Sequence, residues 1–443
     1  MNNNVEILEG NIFKGLIKLA IPIMATSFLQ MAYNLIDLIW IGKLGSLEVA
    51  AVGTAGFLMW LGMSLVIFSK VGAEVFVSQS VGRNNQHEAK NSARSAIQLV
   101  IIFGVFYTFI LIVFNKYLIA FFNIQDEYVV SMARNYLKII GIGVVFAFMN
   151  PVFTSIYNAY GDSRTPFRIN AVGLIINIIL DPILIFYFNM GVSGAAIATI
   201  IGQITVALIF IGKIKYGNDI FKEFNVFKEF DFNKMKKIMK LGMPISLKSG
   251  FFTIIAMVIA RIIASWGPVP IAVQKIGSQI EALSWMTSEG FATATSTYIG
   301  QNYGAKNYHR IKMVYYKSII IMTIIGIIVT LLFLIFPKEI FSIFLREEEA
   351  LKEGIVYLRI LGISQLFMCV EITTSGAFNG LSKTVYHSVL SIVFNFLRIP
   401  MALMLSMTVL GLSGIWWSIT ISSIIKGVFA VIGFMYLIKK YKY

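Results

Sequence analysis

Apolar stretches of about 20 residues recur along the whole chain, and short polar segments separate them. A helix of about 20 apolar residues is long enough to cross the hydrocarbon core of a bilayer, so this recurrence predicts an all-α integral membrane protein. Twelve such stretches are present, with approximate cores at residues 16–41, 49–76, 95–114, 132–158, 169–188, 194–213, 240–265, 270–297, 314–336, 355–379, 386–408 and 413–438.

The composition also indicates insertion into a membrane. With 57% hydrophobic and 13% charged residues, a chain of 443 residues has too few charges to cover the surface of a soluble protein. The opening sequence, MNNNVEILEGNIFKGLIKLA, lacks a basic start and a small-residue cleavage site. We therefore expect no removable signal peptide and a first span that stays in the protein.

The positive charges indicate topology. The net charge of +15 would suggest nucleic-acid binding in a soluble protein, but here the basic residues concentrate in alternate loops, so we predict no nucleic-acid partner. If the N-terminus is cytoplasmic, Arg83, Lys90 and Lys306 are typical of the inner loops, whereas Asp126 and Glu347 are typical of the outer loops. The positive-inside rule thus predicts a multi-pass protein of the inner cell membrane with both termini in the cytoplasm.

The second half of the chain repeats the first. VSQSVGRNNQHEAK resembles TSTYIGQNYGAKNYHR, and NAYGDSRTPFRINAVGLIINIILDPILIF resembles GAFNGLSKTVYHSVLSIVFNFLRIPMALM. Six spans is an even number, so two copies enter the membrane in the same direction and imply a pseudo-twofold axis along the membrane normal. We predict two six-helix bundles, an N-lobe (1–213) and a C-lobe (240–443). A charged cytoplasmic connector (214–239) joins them, and a solvated linker is a better interpretation of it than a lipid-binding helix.

A few polar side chains interrupt the spans of the first half. A carboxylate in the middle of a membrane helix costs about 2.5–3.5 kcal/mol, so it needs a partner, a proton or a function. Asp37, Asp181 and Thr199 are at similar depths, and Asn177 lies one helical turn before Asp181. Their oxygen atoms suit sodium or a shared proton, so we predict a coupling site at these four residues. The alternative is a structural role in capping and in holding helices together.

The second half has a different set of charges near the membrane midplane, namely Lys248, Glu281 and Glu371. A lysine keeps its charge in this environment when a carboxylate faces it. We therefore expect Lys248 to pair with Glu371 or with Glu281, for structure or for substrate binding. Because Ile259 aligns with Asp37 and Ile399 with Asp181, the aspartate pair is present in the first copy only.

The eighth span contains an acidic stripe with an aromatic residue. Glu281 and Glu289 are about two helical turns apart, and Trp285 lies between them on the same face. Acidic and aromatic groups together suit a flat, apolar cation. We predict a cavity for an amphipathic organic cation, lined by Glu281, Trp285, Glu289, Glu371 and Lys248; simple packing of Trp285 is the alternative.

Motifs for other chemistry are missing from the spans. The sequence has no HExxH, no Walker loop and no paired nucleophile and base, so an intramembrane enzyme is the least favoured function. Cys369 has no second cysteine to pair with, and His87, His309 and His387 lie in or beside separate polar segments. We predict no cofactor, and no metal other than sodium if sodium is the coupling ion.

The motifs together resemble the multidrug and toxic compound extrusion (MATE) family over essentially the whole chain. They are the IP start followed by Asp37, the loops VGRNNQHEAK and IGQNYGAKNYHR, and YGDSRTP leading into NIILDP. The resemblance implies a transporter in which a proton or sodium ion bound at Asp37, Asn177, Asp181 and Thr199 drives the export of organic compounds. Two lobes would alternate between inward-open and outward-open states.

Two further expectations come with this resemblance. We expect a monomer in the bilayer whose partner is its small-molecule substrate. Some bacterial relatives carry acids in the seventh and tenth spans, whereas this chain has Lys248 and Glu371 there, so an ion role for the second lobe is not implied. A lipid-linked oligosaccharide flippase of related fold is the alternative, although such proteins line their cavity with several basic residues and Lys248 is nearly alone among acids here.

Overall fold

A computed structural model describes residues 7–122, 124, 126–216, 225–226, 229–344 and 347–440, apart from the side chains of Ser46 and Pro268. Over this part of the chain the secondary structure is helical and contains no strand, which confirms the predicted all-α class. Eleven segments of the described chain are long and apolar enough to span a membrane, and two of them, Arg164–Tyr187 and Thr384–Ser406, each combine two shorter helical elements. The twelfth predicted span, 270–297, lies in the helix Pro268–Gly304, which is more polar because it carries Lys275, Glu281 and Glu289.

The described residues divide into two compact units. The first, the N-unit, comprises Ile21–Met243. Its long helix α5 forms the centre and packs against α2, α3 and α7. The helices of this part of the chain are α1 (Ile12–Gly42), α2 (Ser46–Gly82), α3 (Gln86–Val113), α4 (Asn115–Ala120), α5 (Glu127–Ala159), α6 (Arg164–Pro182) and α7 (Gly191–Tyr216).

The second unit, the C-unit, comprises the chain from Pro244 onward together with the N-terminal residues up to Ala20. Helix α12 forms its centre and packs against α9, α10 and α15, as α5 does in the N-unit. Its helices are α8 (Phe232–Ala264, which begins in the N-unit), α9 (Pro268–Gly304), α10 (Tyr308–Ile335), α11 (Pro337–Ser342), α12 (Glu348–Gly380), α13 (Thr384–Phe396), α14 (Arg398–Ser406) and α15 (Leu412–Lys440).

The duplication is visible in single contacts. In the N-unit, the Thr108 hydroxyl of α3 donates a hydrogen bond to the carbonyl oxygen of Gly141 in α5, at 2.8 Å. In the C-unit, the Thr330 hydroxyl of α10 donates to the carbonyl oxygen of Gly362 in α12, at 2.9 Å. A hydroxyl group that donates a hydrogen bond to the backbone of a neighbouring helix holds the two helices together. Both units therefore use the same threonine-to-glycine contact between corresponding helices.

A proline interrupts the corresponding helix of each unit. In the N-unit, α6 ends at Pro182 and a π-helical turn, Ile183–Tyr187, follows. In the C-unit, the helix is broken at Leu397 between α13 and α14, three residues before Pro400. Proline lacks the N–H that would bond to the carbonyl four residues earlier, which accounts for both breaks. Each break has a charged residue beside it, Asp181 in the N-unit and Arg398 in the C-unit.

The described part of the connector is attached to α3 and is not a free linker. The Gln98 side chain donates to the carbonyl oxygen of Val226 at 2.7 Å, and the Asn91 side chain donates to the Asp231 carboxylate at 3.0 Å. Asp231 also accepts a hydrogen bond from the backbone N–H of Lys234, and these donors lower the pKa of the Asp231 carboxyl. The solvated linker expected from the sequence is thus anchored next to α8; its other residues lie outside the described part.

Gly376 marks the closest approach of α12 to α9. A Cβ atom at this position would clash with the backbone carbonyl oxygen of Ala292. A backbone atom cannot turn away as a flexible side chain can, so the two helices would have to separate. We expect Gly376→Ala to destabilise the protein by about 1–3 kcal/mol, as overpacking does. The apparent melting temperature of purified protein in detergent measures this loss.

A second glycine provides the control. A Cβ atom at Gly250, in α8, would meet no other atom within 4 Å. Alanine is a better helix former than glycine by about 1 kcal/mol, so Gly250→Ala should leave the melting temperature unchanged or raise it. Equal melting temperatures for the two variants would show that α9 and α12 do not approach as closely as Gly376 indicates.

Candidate functional site

Helices α1, α6 and α7 bring the four predicted coupling residues together in the N-unit. The Thr199 hydroxyl donates a hydrogen bond to Oδ2 of Asp37 at 3.2 Å, and Nδ2 of Asn177 donates to Oδ1 of Asp181 at 3.2 Å. The carboxyl groups of Asp37 and Asp181 are close enough to share a hydrogen bond when one of them is protonated. The two aspartates therefore form one cluster, although they are far apart in the sequence.

Three oxygen atoms of this cluster are left without donors. Within the described residues, Oδ1 of Asp37, Oδ1 of Asn177 and Oδ2 of Asp181 are buried and have no hydrogen-bond partner. Asn177 and Asp181 are themselves fully buried. Such oxygen atoms are acceptors only, and leaving them unpaired in a buried place costs free energy. A proton or a hard monovalent cation is the kind of ligand that satisfies an all-oxygen set.

Two tyrosines complete the surroundings of the cluster and were missed in the sequence. The Tyr33 hydroxyl donates to the carbonyl oxygen of Thr199 at 3.2 Å, and both Tyr33 and Tyr136 lie within electrostatic range of Asp37 and Asp181. Tyr33 precedes Asp37 by one helical turn, so helical spacing could have found it. Tyr136 belongs to α5, and no local pattern links it to the aspartates.

The C-unit contains a cavity of about 470 Å³. All five residues predicted for the substrate cavity line it: Lys248, Glu281, Trp285, Glu289 and Glu371. Two basic residues that the sequence did not single out line it as well, Arg398 from the start of α14 and Lys426 from the middle of α15. A volume of this size is typical of sites for drug-sized ligands.

Glu371 has a full set of partners at one side of this cavity. Its carboxylate contacts Nε2 of His387 at 2.7 Å, accepts a hydrogen bond from the Ser391 hydroxyl at 3.2 Å and lies 3.4 Å from Nζ of Lys426. The sequence offered Lys248 as the partner of Glu371 or of Glu281; Lys426 of α15 makes the close contact with Glu371, and Lys248 lies within electrostatic range of it. His387 was expected beside a polar segment, but it is buried at 2% exposure in α13.

Glu281 is held by neutral donors and not by the predicted Lys248. The Tyr357 hydroxyl donates to Oε1 of Glu281 at 2.7 Å, and Nε2 of Gln365 donates to Oε2 at 3.1 Å. Gln365 is oriented in turn by the Ser284 hydroxyl, which donates to its Oε1 at 2.7 Å. Glu281 is buried at 4% exposure, so α12 supplies both donors that keep its carboxyl in place.

Arg398 is held by hydroxyl groups. Its Nε donates to the Ser422 hydroxyl at 2.7 Å, and one terminal nitrogen donates to the Ser423 hydroxyl at 2.9 Å. No carboxylate in the described chain lies within ion-pair distance of Arg398 or of Lys248. Both side chains are partly exposed and line the cavity.

A family model matches the chain twice, once in each repeat. The model is MatE, and it covers residues 22–183 and 244–404, which is well over half of the chain. The chain belongs to the MatE family. This membership confirms the resemblance found in the sequence and, with the apolar helices, makes the chain a multi-pass membrane protein of the MatE family.

Named MatE relatives align over nearly the full length. The chain is 28% identical to the Probable multidrug resistance protein NorM of Thermotoga maritima, over 91% of this chain and 88% of that protein. It is 22% identical to the Multidrug export protein MepA of Staphylococcus aureus, over 93% and 91% of the two chains. These relatives are transporters and not enzymes, in agreement with the sequence prediction.

Solved MATE structures share the fold. One is the outward-facing conformation of a multidrug resistance MATE family transporter of the MOP superfamily, with a TM-score of 0.91 and 25% identity over 99% of both chains. Another is a MOP superfamily transporter from Pyrococcus furiosus, described by a reverse polarity of its binding pocket, with a TM-score of 0.91 and 25% identity over 99% of both chains. The similarity extends over both repeats and confirms the predicted fold class.

Proposed function

We propose that this MatE chain is a multidrug efflux transporter, an antiporter in which a proton or a sodium ion drives the export of amphipathic organic compounds. The observation that carries the ion coupling is the set of three buried oxygen atoms without donors on Asp37, Asn177 and Asp181. A carboxylate pair in an apolar helix bundle keeps its negative charge only with a cation or a proton beside it. The names of the relatives support the export of drug-like compounds.

Each residue of the cluster has a distinct part in this proposal. Asp37 and Asp181 supply the charge that attracts the cation or accepts the proton. Asn177 holds the carboxyl of Asp181 by its amide N–H, so its own carbonyl oxygen is turned away from that bond and can act as a ligand. Thr199 fixes the carboxyl of Asp37 from the neighbouring helix. The cluster has no basic residue among these contacts, so an ion from outside is the counter-charge.

The driving force is sufficient for useful export. Coupling requires that the ion binds two conformations of the transporter with unequal affinity. One charge moving through a membrane potential of about 100 mV releases about 2.3 kcal/mol. A tenfold ion gradient adds about 1.4 kcal/mol. The potential alone therefore sustains a substrate gradient of about fiftyfold by a one-for-one exchange.

The proposed setting follows from the loops. We place the protein in the inner cell membrane, with both termini in the cytoplasm, because the basic residues concentrate in one set of loops. It functions as a monomer without a cofactor or a nucleic-acid partner, and alternating access of the two predicted lobes moves the substrate.

The C-unit cavity is the proposed place of the substrate. The flippase was the second choice in the sequence because Lys248 was nearly alone among acids, and this reason no longer holds, since Arg398 and Lys426 also line the cavity. Multidrug export remains the better-supported function because the named relatives are multidrug transporters over nearly their full length. The predicted preference for cations rests on Glu281, Trp285 and Glu289.

Transport by purified protein in proteoliposomes tests the coupling. We expect the export of at least one amphipathic dye from a panel of anions and cations to accelerate under a sodium gradient alone or under a pH gradient alone. The gradient that accelerates export identifies the coupling ion. Ion-coupled export would be contradicted if neither the sodium gradient nor the pH gradient changed the export rate of any dye.

A further inference from the structure

We propose that the C-unit cavity binds amphipathic organic anions, with Arg398 and Lys248 as the groups that recognise the anionic head. This proposal rests on the proposed export function and specifies the substrate class of that transporter. It differs from the cationic preference that the acidic stripe of α9 suggested in the sequence. We favour an anionic substrate because the carboxylates of the cavity already have partners within the protein, whereas Arg398 and Lys248 have no carboxylate within ion-pair distance in the described chain.

The cavity is lined by three positive side chains, Lys248, Arg398 and Lys426, and by three carboxylates, Glu281, Glu289 and Glu371. Glu289 is exposed, whereas Glu281 and Glu371 are buried. Glu371 is compensated by direct contact with Lys426 at 3.4 Å. Glu281 is then the buried carboxylate that remains for Lys248 and Arg398, and neither cation is within ion-pair distance of it in the described chain.

Glu281 is poorly placed to bind a cationic substrate. Each of its carboxyl oxygens already accepts one hydrogen bond, from Tyr357 and from Gln365. These donors leave one lone pair on each oxygen, so Glu281 has less capacity for a substrate ammonium group than a carboxylate without donors would have. Glu281 and Glu371 both lie within electrostatic range of Arg398, and neither carboxylate is within ion-pair distance of its guanidinium group in the described chain.

Arg398 and Lys248 have the opposite character. Arg398 uses Nε and one terminal nitrogen for neutral serine hydroxyls, and its other guanidinium N–H groups have no partner among the residues that the structure describes. The Lys248 ammonium makes no ion pair within the described residues. A positive charge in the membrane interior without a counter-ion is costly. A carboxylate, sulfonate or phosphate on the substrate would supply the counter-ion, and a guanidinium group binds such planar or tetrahedral anions with two hydrogen bonds.

A third donor lines the same cavity. The indole Nε1 of Trp285 is buried and, in the part of the chain that the structure describes, has no hydrogen-bond partner. An indole nitrogen is a donor only, so it requires an acceptor such as a substrate oxygen. The cavity is also lined by apolar side chains, among them Phe252, Ile255, Ile259 and Met368. Donors together with apolar groups suit a molecule with an anionic head and an apolar body.

Glu289 is the one residue of the lining that favours a cation. It is exposed, and it lies eight residues, or about 12 Å, along α9 from the buried Glu281. The charge of an exposed carboxylate is screened more strongly than the charge of a buried group. Glu289 therefore has less influence than the buried groups on whether the cavity prefers an anionic or a cationic substrate. A cationic substrate held at Glu289 and Trp285 is therefore the outcome against which the proposal is tested.

Two dyes with the same xanthene ring system separate these outcomes. Purified protein in phosphatidylcholine vesicles is given the gradient that drives export, and the transport of anionic fluorescein is compared with that of cationic rhodamine 6G. We expect fluorescein to be transported at least tenfold faster. We expect Arg398→Gln and Lys248→Gln each to lower fluorescein transport at least tenfold, whereas Arg359→Gln, an exposed residue of α12, leaves it unchanged.

The same experiment distinguishes the ways in which the proposal can fail. Gradient-driven transport of rhodamine 6G without transport of fluorescein would overturn the anionic preference but not the export function. Rates of dye transport that are the same with and without each ion gradient would contradict the export function itself. Arg398→Lys keeps the charge and should retain part of the fluorescein transport, which controls for misfolding of Arg398→Gln. Arg398-dependent flipping of fluorescent phosphatidylglycerol, with no fluorescein transport, would assign the cavity to lipid head groups instead.

Discussion

Replacement of either Asp37 or Asp181 by asparagine is expected to abolish ion-driven export. Asparagine has almost the same size as aspartate but no charge, so the cluster would lose half of its attraction for a cation and could not carry a proton at that position. Without ion binding, the roughly 2.3 kcal/mol that one charge gains per 100 mV is no longer transmitted to the substrate. The substrate gradient at steady state should fall from about fiftyfold to none.

The same two substitutions should leave the fold intact. Asp37 and Asp181 contact no basic residue in the described chain, so neutralising one of them leaves no cation without a partner. Removal of a buried, uncompensated carboxylate is instead expected to keep or raise the melting temperature. Binding of substrate to the C-unit cavity should persist. Loss of export together with full stability is the signature that separates a coupling role from a structural one.

Initial rates and steady-state gradients in proteoliposomes measure this effect. Asp162→Asn is the matched control, because Asp162 lies in the loop before α6 and its Oδ1 accepts a hydrogen bond from the N–H of Thr165, which an asparagine can also accept. This control should export at the wild-type rate. Ion-dependent transport at the wild-type rate by both Asp37→Asn and Asp181→Asn would remove the N-unit cluster from the mechanism.

The N-unit cluster could be anticipated because its signals are local. Carboxylates stand out in apolar spans, the spacing of Asn177 and Asp181 fixes a common helix face, and Pro182 indicates the helix break. Asp37 lies at a similar depth in its own span, so it is expected to be a neighbour of Asp181. Tyr136 could not be found in this way, since it comes from α5 and only the packing of the bundle brings it near.

The C-unit network could be anticipated only in part. Residue counting gives the depth of a side chain in its span, but it does not give the direction in which the helix turns that side chain. Lys248 and Lys426 are both candidates for Glu371 by depth, and the rotation of α15 decides for Lys426. His387 was expected in or beside a polar segment because it follows Lys383 closely in the sequence, yet its side chain is buried and contacts Glu371 of α12.

Loss of the Glu371 carboxylate is expected to be the most destabilising single change in the C-unit. Glu371→Gln would leave the ammonium of Lys426, which is 8% exposed, without its carboxylate partner. Stranding one charge of a buried pair costs about 3–5 kcal/mol, so the apparent melting temperature should fall by about 10 °C. Replacing both partners, as Glu371→Gln with Lys426→Met, removes the stranded charge and should restore most of the stability.

A surface pair of the same helix provides the control for this prediction. Glu348 and Lys352 of α12 form an ion pair at 2.7 Å, with side chains 84% and 74% exposed. Exposed pairs of this kind contribute little, so Glu348→Gln should leave the melting temperature nearly unchanged. If Glu371→Gln is as stable as Glu348→Gln but shifts the ratio of fluorescein to rhodamine 6G transport, Glu371 contacts the substrate. The expected result is the reverse, because His387, Ser391 and Lys426 already occupy its carboxylate.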